Sequence, residues 1–129
     1  MTAAPDLLAS VSDAALPGLR TSACTWHSVC RVQDLEPNWG EAALVNGIQV
    51  ALFLLPTGEV YAVEHRDPMT GAHVMARGIV GSRQGKPTIA APLHKEVYSL
   101  ADGSRLDGTG APLAAFSTRL VDGVIQVAA

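Results

Sequence analysis

The side chains able to do metal or acid–base chemistry crowd into one stretch of the sequence. His65, Asp67 and His73 share a short segment, and His94 follows in APLHKEVYSLADG, residues 91–103. Imidazole nitrogens and a carboxylate are ordinary ligands for Zn²⁺ or Ni²⁺, so these four could form a site if the two segments converge. A transition-metal site takes three or four protein ligands. His94 on its own supplies one and reads more simply as a loop histidine bonded to backbone or facing a partner. Glu64 and Asp67 read as a charged loop rim, and His27 as structural or exposed. No Ser or Thr sits in a G-x-S-x-G elbow. GSRQGKP (81–87) pairs two glycines with two cations but lacks the Walker spacing, and reads as a hairpin tip rather than a phosphate nest. No motif for flavin, nicotinamide or siroheme is present, so the expected catalytic, cofactor-binding and metal residues of this chain are none.

Cys24 and Cys30 are the only cysteines. Six apart on one strand, they would face the same side but lie too far apart along it for a disulfide. No basic or helix-start context lowers either pKa. Both are expected to be reduced packing thiols of a cytoplasmic protein.

Positioning these residues requires a scaffold, and the composition describes one. The chain has 129 residues, 48% hydrophobic, with a formal net charge of −3. That is enough for one buried core. The Lys and Arg are scattered, leaving no clustered basic face for nucleic acid. VALFLLP (50–56) is too short to span a bilayer. The N-terminal MTAAPDLLASVSDAALPGLRTS lacks the basic and continuous apolar regions of a signal peptide. Residues 1–22 are expected to form a flexible tail and residues 23–129 a single domain.

From residue 25 onward, short apolar runs broken by Gly, Pro, Asn and Asp predict an all-β domain. Strands are expected at 25–30, 42–46, 48–55, 60–64, 97–100, 114–120 and 124–128. The almost uniformly apolar IQVALFLL (48–55) belongs in the sheet centre, covered on both faces. In AFSTRL, Phe116, Thr118 and Leu120 should share one face and Ser117 and Arg119 the other. Asp122-Gly123 is a hairpin turn. Residues 65–96 break the rhythm and read as two long loops around one short strand, TIA, where function is expected to lie.

The order of these parts resembles the Rieske domain, in which two loops of a small inserted subdomain clasp a [2Fe–2S] cluster through C-x-H and C-x-x-H boxes, one iron held by two thiolates and the other by two imidazoles. VYAVEHRDPMTGA (60–72) stands where the first box belongs, with Asp67 at the thiolate position and Met69 at the imidazole position. In the second box Ala91 replaces the thiolate and His94 stands at the imidazole position. The resemblance thus leaves one ligand of four, and both cysteines precede the loops. DPMTGAHVMARGIVG (67–81) and PTIAAPLHKEVYSLADGSRLD (87–107) are similar, more narrowly, to the small subunit of assimilatory NAD(P)H-dependent nitrite reductase. That family shares the RGIVG run and a SPLxKxxFxLxxGxCLD loop. Departures are small for small at Thr70, Ala76 and Ala91, with Arg105 where Cys is common. The similarity runs from about Trp26 to Val127.

The resemblance implies a Rieske-like antiparallel β-sandwich or barrel with an inserted loop-rich subdomain at about 65–96 and no cluster of its own. It implies a large partner subunit carrying FAD, an iron–sulfur cluster and siroheme, which reduces nitrite to ammonium. This chain would then support that subunit by contact. Met69, Pro92 and Leu93 are the candidate centre of the docking face, with Arg66, Arg77, His94 and Lys95 around them. The alternative is a Rieske-like adaptor or ferredoxin-type component of another oxidoreductase.

Overall fold

The computed structural model describes residues 25–129, so the expectations for the tail and for Cys24 lie outside the described residues. Ten strands form three antiparallel sheets, joined by 3₁₀ turns at Val32–Asp34 and Met75–Arg77. Strands β1 (Trp26–Arg31), β10 (Val124–Ala128) and β9 (Thr118–Val121) make the first sheet, in that order. The central sheet runs β2 (Gly40–Val45), β3 (Ile48–Leu54), β4 (Val60–Glu64) and β8 (Ala115–Phe116). The third, built from the inserted segment, runs β5 (Ile79–Arg83), β6 (Lys86–Ala90) and β7 (Val97–Ser99). Among the described residues no helix is long and apolar enough to cross a membrane.

Strand β3 divides the interior. Its successive side chains point to opposite faces, and over Val50–Phe53 both faces are covered, as its apolar run predicts. Val50 and Leu52 join Leu35, Val60, Ile125 and Val127 in a core against the first sheet. Ala51 and Phe53 join Val63, Met75, Ile89, Tyr98 and Leu100 in a second core against the inserted sheet. The insert is therefore packed against the scaffold by its own hydrophobic core.

Three tight hairpins use Asn46-Gly47, Gln84-Gly85 and Asp122-Gly123, each with φ positive at both residues (51 and 78°, 53 and 80°, 51 and 79°). These are the primed turns whose twist matches that of antiparallel strands.

Four expectations need correction. The insert holds one further ordered strand, β5, beside the expected TIA strand, which extends back to Lys86 as β6; β5 is mostly exposed and shows no apolar alternation. Strand β1 carries a register shift between Ser28 and Cys30, so simple alternation does not carry through it. Residues 114–120 do not form one strand. β8 pairs with β4, the chain changes sheet at Ser117, and β9 pairs with β10. Thr118 Oγ1 donates to the Val60 carbonyl at 2.7 Å beside this crossing. Leu120 consequently faces outward, 48% exposed.

Candidate functional site

Two loops of the insert have the same backbone architecture. In Asp67–Ala72, the Asp67 carbonyl accepts from Gly71 N–H (2.7 Å) and Asp67 N–H donates to the Ala72 carbonyl (2.7 Å). In Ala91–Glu96, the Ala91 carbonyl accepts from Lys95 N–H (2.8 Å) and Ala91 N–H donates to the Glu96 carbonyl (2.8 Å). The fifth residue of each turn is left-handed, Gly71 at φ 81° and Lys95 at φ 63°. Proline occupies the second position of both, where a fixed φ and a missing N–H do no harm. One consequence is a shared side-chain pattern. The first residue of each loop points inward, with Asp67 0% and Ala91 1% exposed, and the third points out, with Met69 53% and Leu93 52% exposed.

His65 anchors the first loop. Its carbonyl accepts from both Val74 and Met75 N–H (3.0 Å each), and its Nδ1 accepts from Ala76 N–H at 3.1 Å. The ring is buried, and desolvation, followed by the charges of His73 and Arg77, holds its pKa below 6.5. A neutral imidazole is what an accepting Nδ1 requires. The two glycines flanking the 3₁₀ turn at Met75–Arg77 are explained by space: a Cβ on Gly40 would stand 2.2 Å from the Ala76 carbonyl oxygen, and one on Gly78 2.5 Å from that of Ala90.

The convergence of His65, Asp67, His73 and His94 that a metal site would need is not seen. The His65 and His73 rings lie 6.2 Å apart, but among the described residues no group of three or more His, Cys, Asp or Glu side chains could hold a metal ion. The physical reason is that Nδ1 of His65 is committed to Ala76, while His94 is exposed at a loop tip.

Asp67 is instead a local organiser. Its Oδ1 accepts from Met69 N–H at 2.8 Å, and its Oδ2 is buried without a protein partner. The Tyr98 hydroxyl and Glu96 Oε1 are also buried and unpartnered. Burial, followed by the charge of Asp67, raises the Tyr98 pKa. Above the Tyr98 ring lies the Arg105 guanidinium, 5.8 Å from its centroid, whose Nε donates to Asp107 at 2.6 Å. That hydrogen bond is the main cause of a lowered Asp107 pKa. A Cβ on Gly110 would meet Arg105 Nη1 at 2.9 Å and Met69 Sδ at 3.9 Å, so the first loop tip reaches the segment after β7.

Glu96, Tyr98 and Arg105 are polar contributors here that are absent from the candidates their sequence pattern suggests. The available signal was the repeated proline at the second position of two six-residue loops, which places their first residues in equivalent inward positions. Of the remaining candidates, Arg77 and Lys95 are exposed and Pro92 is half-buried. Cys30 lies away from these loops on β1, and burial followed by the charges of Asp34 and Glu41 raises its thiol pKa, in keeping with a packing role. A groove of about 380 Å³ lined by Leu55, Pro56, Thr57, Glu59, Val80 and Pro87 holds none of the candidate residues.

Comparison with known proteins agrees with this architecture. Residues 25–128 match the Rieske-like [2Fe-2S] domain family. The nitrite reductase (NADH) small subunit of Salmonella typhimurium is 33% identical over 103 residues, covering 79% of this chain and 95% of that protein. A crystal structure from Mycobacterium tuberculosis, of a protein assigned as an NADH-dependent nitrite reductase small subunit, superposes with a TM-score of 0.79 at 41% identity. It covers 82% of this chain and 96% of the other. A stretch of the nitrite reductase [NAD(P)H] large subunit of Klebsiella oxytoca is 29% identical over 102 residues, covering 79% of this chain and 11% of that longer protein. The chain therefore belongs to the Rieske-like [2Fe-2S] domain family and is, within it, a homologue of the nitrite reductase (NADH) small subunits.

Proposed function

We propose that this chain is the non-catalytic small subunit of an assimilatory NAD(P)H nitrite reductase in the cytoplasm, working by contact with a large subunit that carries FAD, an iron–sulfur cluster and siroheme. The observation that carries the reading is the Klebsiella relative, a large subunit that contains a stretch similar to this chain within the same polypeptide. Two proteins that exist fused in one species and separate in another are natural partners.

The chain on this reading holds no [2Fe–2S] cluster. A Rieske centre takes two thiolates and two imidazoles from two loops. Here the inward positions at the loop starts hold a carboxylate, Asp67, whose Oδ1 is engaged by Met69 N–H, and a methyl group, Ala91, packed in the second core. These residues do not fit the cluster. What supports a protein-binding role for the paired turns is Met69 and Leu93 exposed at equivalent positions, with Pro92 half-buried next to Leu93 and Arg66, Arg77, His94 and Lys95 exposed on the same insert. Apolar anchors with a polar rim suit such an interface.

The test is co-expression of the full chain with its large subunit, followed by affinity capture of the large subunit and assay of NAD(P)H-dependent nitrite reduction with and without this chain. Co-purification is expected, and the chain purified alone should be colourless and iron-free. Loss of co-purification in a Met69→Asp/Lys95→Glu variant of unchanged melting temperature would support the docking face, and unchanged binding would refute it. A brown, iron-containing protein would overturn the cluster-free reading in favour of a ferredoxin-type electron carrier.

A further inference from the structure

The exposed charge on this protein is segregated. Between residues 65 and 96 the only acids are Asp67 and Glu96, and both side chains are buried, at 0 and 7% exposure. All five bases of that segment, Arg66, Arg77, Arg83, Lys86 and Lys95, are exposed. Elsewhere among the described residues three bases stand against eight acids. Of those three bases, Arg105 is paired with Asp107, and Arg119 is engaged with Gln126 and the Trp26 ring. A protein that is acidic overall, with no run of cations in its sequence, thus carries an insert whose every exposed formal charge is positive.

The five cations fall into two groups. Arg83 and Lys86 face each other across the Gln84-Gly85 turn. Arg66 belongs to the first loop, and Arg77 and Lys95 adjoin the opposite end of β6, about 13 Å away at the usual rise of a strand. There Arg77 precedes Gly78, which is held against the Ala90 carbonyl at the root of the second loop. Arg66 reaches over Gly71 of the first loop, its Nη2 3.5 Å from where a Cβ would stand, and Lys95 sits in the second. The two apolar tips, Met69 and Leu93, stand on the same two loops.

We infer that the surface meeting the two loop tips is an acidic protein surface, a ring of carboxylates around an apolar recess that receives Met69 and Leu93, and that the pair associates under electrostatic steering. This rests on the small-subunit reading and adds the chemistry of the partner's surface to it. A concentrated field of one sign at a docking patch raises association rates by about 10- to 1,000-fold and makes them fall with salt. Screening acts over about 10 Å at 0.1 M ionic strength, so the distant Arg83–Lys86 group contributes much less to encounter than the loop-tip group.

The experiment measures the association rate of the full-length chain with its large subunit from about 25 to 500 mM NaCl. Two double charge reversals of equal size are compared, Arg66→Glu/Lys95→Glu at the tips and Arg83→Glu/Lys86→Glu at the hairpin. All four positions are exposed, and melting temperatures verify folding. The inference expects the wild-type rate to fall at least about tenfold across this range. The tip variant should bind at least about tenfold more slowly at low salt with a flattened salt response, and the hairpin variant should stay close to wild type. A complex whose rate is insensitive to salt, or equal losses in the two variants, would overturn the inference while leaving the small-subunit reading in place. Failure of the wild-type chain to bind the large subunit at any salt would overturn both.

Discussion

Lys95 occupies a backbone position that suits glycine, and replacing it should make the protein more stable and less useful. Its φ of 63° is left-handed, and the equivalent position of the sister loop is Gly71 at 81°. A side chain in that region costs about 1–2 kcal/mol. Glycine relieves this but adds about 0.5–1 kcal/mol of chain entropy lost on folding. Lys95→Gly is therefore expected to exceed Lys95→Ala in stability by about 0.5 kcal/mol, a comparison that cancels the loss of the amine. For a domain of this size that corresponds to a melting-temperature difference of roughly 2–4 °C. Gly71→Ala, at the same turn position, should shift stability the opposite way by about 1 kcal/mol. Urea titration of the four proteins measures all of this. If Lys95→Gly is less stable than Lys95→Ala, or Gly71→Ala is neutral, the equivalence of the two turns is wrong. Binding to the large subunit should weaken in both Lys95 variants. Backbone strain retained at a docking position is the pattern expected where function, not stability, holds the residue.

Other consequences are more local. Gly103 repeats the same turn at φ 78°, and a Cβ there would lie 1.7 Å from the Leu113 carbonyl oxygen. Gly103→Ala should therefore cost about 3 kcal/mol or more, read by denaturant midpoint. Asp67→Ala leaves Met69 N–H without its acceptor and should cost about 2 kcal/mol, whereas Asp67→Asn retains an acceptor oxygen and should cost less than half of that by the same titration. The stability of the wild-type chain should also depend on pH through His65. Its folded pKa lies below 6.5, so both states are neutral above that value. As pH falls below 6.5 the unfolded chain binds a proton that the folded one excludes, and stability declines, by at most about 1.4 kcal/mol per pH unit for this group, until the folded pKa is passed. Urea midpoints from pH 7.5 to 5 should show that decline, and a His65→Gln variant should lose this component of it.

Much of the fold is written locally in the sequence. The apolar run of β3 requires cover on both faces, and X-Gly pairs between apolar runs specify primed hairpins, because these depend on side-chain hydrophobicity and backbone sterics alone. The loop-rich insert, the Rieske-like fold and the family were likewise legible from residue types in order. Strand β5 was not: only Val80 of its five residues is even half-buried, so it has no hydrophobic period and exists through its hydrogen bonds to β6. The outward turn of Leu120 was equally hidden, because a change of sheet at Ser117 depends on which strands lie nearby. At the candidate site, the sequence by itself determined which side chains stand at the loop starts, a carboxylate at Asp67 and a methyl at Ala91, since that is a matter of composition. Tertiary structure decided that the two loops are the same turn, that Asp67 and Glu96 turn inward while the cations of the insert stay outside, and that His65 accepts a backbone hydrogen bond. Those outcomes depend on burial and on hydrogen-bond partners distant in the chain, which local sequence does not encode.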